Sequence, residues 1–151
     1  MLEFASSRGL RVAKIFITHT HTDHIFDFDR LLEKTKAQAW VSEREPLRGA
    51  EGFAPGRDFQ IGALTVETRL TSGHAVGGVT YFIRGLAKPI AIVGDSIFAG
   101  SMGGGKVSYA EALKNNREQV LTLPEETIIC PGHGPLTTVG EQKRTNPFFA
   151  A

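Results

Sequence analysis

Every histidine in this 151-residue chain falls in a short segment shaped like a metal ligand set. His19, His21 and His24 stand in THTHTDH, His74 in TSGHAVGG and His133 in CPGHGP. Neutral imidazole offers a nitrogen lone pair at physiological pH, which makes histidine the commonest metal-binding side chain. The spacing H-x-H-x-D-H adds the carboxylate of Asp23, and a second carboxylate, Asp95, stands in VGDSIF between the last two histidines. His19 and His21, one residue apart in an extended segment, point to the same side. Asp23 and His24 lie at the turn into a following helix and can reach a neighbouring ion. Seven donors exceed one tetrahedral zinc and suit two ions that share an anionic bridge, for which Asp95 is the available group.

These residues need a scaffold that brings distant segments to one edge. Val12 to Ile17 is short, β-branched and nearly continuously apolar, as expected of a strand buried on both faces. His19 and His21 follow its C-terminal end, where open α/β sheets gather their sites. Upstream, residues 2–7 read as the end of a helix stopped by Gly9. Downstream, Ile25, Phe28, Leu31 and Leu32 recur at helical spacing over 25–36. Residues 37–41 form a second short strand, and Ser42 with Glu45 reads as a capping box opening another helix. Leu64, Val66 and Thr68 alternate as a half-buried strand, and 79–84 and 89–93 are further strands. Gly103 to Gly105 reads as a flexible loop without the lysine and hydroxyl pattern that grips phosphate. Ser108 to Glu111 caps a helix carrying Leu113, Val120 and Leu121. A last strand, 127–130, runs into His133, and 138–149 is a short helix with an aromatic end. Neither repeat nor linker interrupts the chain, so residues 1–151 are expected to form a single domain of the α/β class.

Composition narrows the partners. Lys+Arg 17 against Asp+Glu 16 gives a net charge of +1, with no basic stripe for a phosphate backbone, so nucleic acid is not expected. No apolar run approaches the roughly 20 residues that span a bilayer, so neither is a membrane. The lone Cys130 cannot form an internal disulfide, and this fits a reducing, cytoplasmic setting. Preceding Pro131 at a strand end, it reads as a buried, inert thiol.

Taken in order, T-H-T-H-T-D-H, S-G-H, G-D-S-I-F and P-G-H-G-P resemble the metallo-β-lactamase fold superfamily, and most closely its short glyoxalase II-like (hydroxyacylglutathione hydrolase-like) members. The resemblance covers the chain from about residue 10 to its end. It implies an αββα sandwich with a dinuclear site at one edge. His19, His21 and His74 would bind the first ion, Asp23, His24 and His133 the second, and Asp95 would bridge them. Zinc is the expected metal, with iron or manganese as alternatives. Aspartate at position 95, where some true β-lactamases carry cysteine, favours the hydrolase branch. Relative to that family the chain begins one helix upstream of H-x-H-x-D-H. The first strands of the N-terminal sheet are therefore expected to be missing, through a truncation, a fragment or a mis-set start, and an exposed sheet edge would favour a homo-oligomer.

The chemistry implied is attack by a metal-bridging hydroxide on a small-molecule carbonyl, with a thioester such as an acylglutathione as the leading substrate. Asp95 would hold the two ions together, and Asp23 would also steer the nucleophile. Lys106, Tyr109, Lys143 and Arg144 are candidates to hold a substrate carboxylate. The alternatives are hydrolysis of a β-lactam or another ester or amide, persulfide oxidation at a single iron, and an inactive metal-binding remnant.

Overall fold

The computed structural model describes residues 2–150, and its organisation is two main sheets packed face to face with helices on both outer faces, together with a separate two-stranded antiparallel sheet. In chain order the elements are α1 (Leu2–Ser7), β1 (Lys14–Ile17), α2 (Thr22–Ile25), α3 (Phe28–Thr35), β2 (Gln38–Ser42), β3 (Glu51–Phe53), β4 (Asp58–Ile61), β5 (Leu64–Leu70), β6 (Val79–Arg84), β7 (Ile90–Gly94), β8 (Ile97–Phe98), β9 (Ser101–Met102), α4 (Tyr109–Asn115), β10 (Ile128–Pro131), β11 (Thr137–Thr138) and α5 (Val139–Thr145). A π-turn, Asn116–Val120, continues α4. The first sheet is parallel, in the order β1-β2-β3; the second is mixed, in the order β11-β10-β7-β6-β5-β4. This is the αββα arrangement.

Side-chain alternation builds three apolar layers. Phe16, Trp40, Phe53, Phe59, Val66, Val79 and Tyr81 fill the space between the sheets, with the Phe16 and Phe59 rings edge to face at 5.0 Å. Ile17, Ala39 and Val41 turn the other way, toward Phe28 and Leu32 of α3. Phe82, Ala91, Val93 and Ile129 cover the outer face of the second sheet beneath Val120, Leu123 and Val139. Ile92 pairs across the ladder with Tyr81 and so shares its inward face, yet it is 40% exposed and stands outside the apolar cluster between the sheets.

The expected strand at 12–17 is shorter, Lys14–Ile17. Its two faces do enter two different apolar layers, but only Ile17 is fully buried, since β1 lies at a sheet edge. The expected helix over 25–36 is two helices, because residues 26–27 form a turn that redirects the chain after His24. No helix opens at Ser42. That residue ends β2, and its hydroxyl accepts from the Arg44 N–H in a tight turn. Ser108 caps α4 through the Glu111 N–H at 3.2 Å, as its pattern predicts. No helix among the described residues is long and apolar enough to cross a membrane.

Candidate metal centre

The five histidines and both aspartates converge beyond the C-terminal ends of β1, β7 and β10. β1 delivers His19 and His21, and α2 carries Asp23 and His24 in its single turn. His74 follows β5, Asp95 directly follows β7, and His133 follows β10. Three overlapping groups of donor atoms result: His19, His21 and His74; His19, His24 and Asp95; and Asp23, His24 and His133. Within each group the donor atoms lie within 4.8 Å of one another.

Secondary contacts set which ring nitrogen faces inward. His74 Nδ1 is 2.9 Å from the Gly104 carbonyl, an acceptor, so this nitrogen carries the proton and Nε2 presents its lone pair. Thr18 Oγ1 lies 3.2 Å from His19 Nδ1, which leaves His19 Nε2 buried with no hydrogen-bond partner. His24 Nε2 and Asp95 Oδ1 are likewise buried and without a hydrogen bond, although only 3.2 Å apart. Buried polar atoms are ordinarily paired. Three orphaned donor atoms gathered in one cluster therefore fit bound metal as their missing partner.

Asp95 occupies the middle. Its Oδ1 faces His24, and its Oδ2 lies 3.5 Å from His74 Nε2 and 3.6 Å from His133 Nε2. Gly132 is required at this point, because a Cβ there would strike the Asp95 carboxylate and the His24 ring. Asp23 and His133 form the open side, with Oδ2 to Nε2 at 3.1 Å, and both are more than half exposed.

At His19 and His21 the electrostatics favour the neutral imidazole and at Asp23 the ionised carboxylate, the forms that bind metal. Burial, reinforced by charge on His24 and His21, lowers the His19 pKa to about 4. Burial also lowers that of His21, followed by repulsion from His74 and Lys106. For Asp23, desolvation raises the pKa but is outweighed by a backbone hydrogen bond and by His24 and His133, so its carboxyl sits below the ordinary value.

The sequence of the chain matches the profile of the metallo-beta-lactamase superfamily over residues 2–133. The chain belongs to this superfamily. It is similar to a protein described as "Probable metallo-hydrolase YqgX" of Bacillus subtilis (strain 168), with 31% identity over 97% of this chain and 80% of that protein. Among solved structures it resembles the BLEG-1 B3 metallo-beta-lactamase, with a TM-score of 0.89, 26% identity, and coverage of 99% of this chain and 83% of that one. It also resembles TTHA1623 in a di-iron-bound form, with a TM-score of 0.82, 26% identity, and coverage of 98% and 83%. Superfamily membership and the histidine-rich cluster together support divalent metal binding by a metallo-hydrolase.

All seven residues singled out by spacing come together. The substrate-side candidates divide. Lys106 lies close enough for its charge to act on His21, and Tyr109 begins α4 with its ring half exposed. Lys143 and Arg144 instead face Glu125, at 3.1 and 3.8 Å. Gly103 to Gly105, expected to be flexible, is pinned: the Gly103 N–H donates to the Ser96 carbonyl and the Gly104 carbonyl accepts from His74. Cys130 is only half-buried, not fully enclosed, and desolvation holds its thiol pKa above the ordinary value.

Proposed function

We propose that this chain is a binuclear metal-dependent hydrolase acting on a small-molecule thioester. The observation that carries the reading is the position of Asp95, whose two oxygens face histidines of both ligand sets. His19, His21 and His74 would hold one ion, Asp23, His24 and His133 the other, and Asp95 both. Bound divalent ions, zinc in the leading assignment, supply a water of lowered pKa and polarise a carbonyl.

The chain's own residues do the rest. The Gly104 carbonyl keeps the His74 proton on Nδ1, so Nε2 stays free as a donor. Asp23 stays ionised at the solvent-facing side, where its carboxylate can accept a hydrogen bond from an incoming water and orient it. Exposed apolar side chains stand close in sequence to the ligands: Phe26 beside His24, Val76 beside His74, Leu136 after His133, and Val107 next to Lys106. They suit an apolar acyl group, and the Lys106 ammonium suits a carboxylate on the same substrate. A thioester fits this arrangement because a thiolate leaves readily without a dedicated acid to protonate it.

The test is turnover by the zinc-loaded chain. The proposal expects hydrolysis of an acylglutathione thioester at a rate well above that of a chromogenic cephalosporin. The BLEG-1 likeness makes the cephalosporin the appropriate comparison. Cephalosporin turnover without thioester turnover would overturn the substrate assignment, as would oxygen consumption with a persulfide and one iron per chain.

A further inference from the structure

Glu45 is a buried carboxylate, 7% exposed, in the turn after β2, and it belongs to none of the donor groups at the metal centre. Both of its oxygens are in use. Oε2 accepts from the Thr20 N–H at 3.0 Å and from the Thr20 hydroxyl in a short hydrogen bond, and Oε1 accepts from the Gly77 N–H at 2.9 Å. Thr20 is the residue between His19 and His21, and Gly77 lies three residues after His74. One side chain thus ties together the two loops that carry all three imidazoles of the first ligand set. The contact with the second loop is close: a Cβ at Gly77 would sit 2.9 Å from Glu45 Cγ and nearer still to Arg44.

We infer that Glu45 is a positioning residue for the first metal ion, fixing the spacing between the His19–His21 segment and the His74 loop. Burying a carboxylate is unfavourable unless it is hydrogen-bonded, and here three donors converge on it from two segments far apart in sequence. In a glutamine one of the two acceptor oxygens becomes an NH2 donor that faces the N–H or O–H donors of one loop, so the side chain can no longer accept from both loops and the three imidazoles lose their fixed separation. Asp23, His24 and His133 receive nothing from Glu45, so the second set keeps its geometry. Outer hydrogen bonds of this kind typically matter tenfold to a hundredfold in metal affinity. The inference rests on the metal reading of the site and not on the thioester.

The test is zinc titration of the chelator-stripped 151-residue chain against a competing chromophoric chelator, in two backgrounds. In His133→Ala, which leaves the first set whole, Glu45→Gln is expected to weaken zinc binding by about ten- to a hundredfold. In His74→Ala, which leaves the second set whole, the same change is expected to alter affinity by less than about threefold, within the scatter of such effects. Equal losses in both backgrounds would show general destabilisation and overturn the assignment, and no loss in either would do the same. If Glu45→Gln does not fold, Thr20→Val serves in its place, with Thr20→Ser expected to restore affinity; a valine variant with unchanged affinity in His133→Ala overturns the inference. A wild-type chain that takes up no zinc at all would overturn the metal reading itself, an outcome distinct from zinc binding that ignores Glu45.

Discussion

His21 Nδ1 and His74 Nε2 lie 3.0 Å apart, although 53 positions separate the residues in sequence. The Gly104 carbonyl holds the His74 proton on the other nitrogen, so both facing atoms can present lone pairs to one point. Two lone pairs at this distance are compatible only with a proton or a cation between them. His74→Ala is therefore expected to abolish tight binding at the first ligand set and lower the metal content from about two ions toward about one. Elemental analysis of the dialysed variant reads this directly, and an unchanged content would remove His74 from the ligand set.

Asp95 turns one oxygen to His24 and the other to His74 and His133, and so faces both sets. Asp95→Asn keeps its shape and removes its charge. Thioester turnover is expected to fall by more than about a hundredfold, the upper range for changes beyond the ligands themselves. The measurement is kcat at saturating zinc, and a loss below about tenfold would rule out a bridging carboxylate.

The Tyr81 hydroxyl, buried between the sheets, donates to the Ile17 carbonyl at 2.7 Å, two residues before His19. This bond joins the second sheet to the end of β1. Tyr81→Phe leaves a carbonyl without its partner and is expected to destabilise the protein by about 1–3 kcal/mol. Urea unfolding of the metal-stripped protein checks the value, and no change in midpoint would show that the carbonyl finds another donor.

Histidine burial sets a pH dependence. His19 has a pKa near 4 in the fold against 6.5 when free, so between those values the unfolded chain binds more protons. Stability of the metal-stripped protein is then expected to fall as pH drops from about 6.5 to about 4. Thermal unfolding across this range tests the sign, and His19→Asn should flatten the slope.

How much of this was legible in the sequence depends on whether the signal was local. The seven donors were legible because each stands in a short segment with its own spacing or flanking glycines. β6 was legible at its full extent, Val79–Arg84, because its six residues read as one strand between turn-forming segments. Glu45 was misread as half of a capping box with Ser42. The pattern is local, but the partners that satisfy Glu45 are Thr20 and Gly77, 25 and 32 positions away. Gly103 to Gly105 misled for the same reason, since the contacts pinning it come from Ser96 and His74. β8 and β9, two residues each, are too short to show any period.

The most direct test of the central claim is the metal content of the wild-type chain. Protein expressed with added zinc and dialysed free of loose metal is predicted to contain about two ions per chain. A content near zero, or one ion that persists unchanged in Asp95→Ala, would contradict a two-metal site built around Asp95.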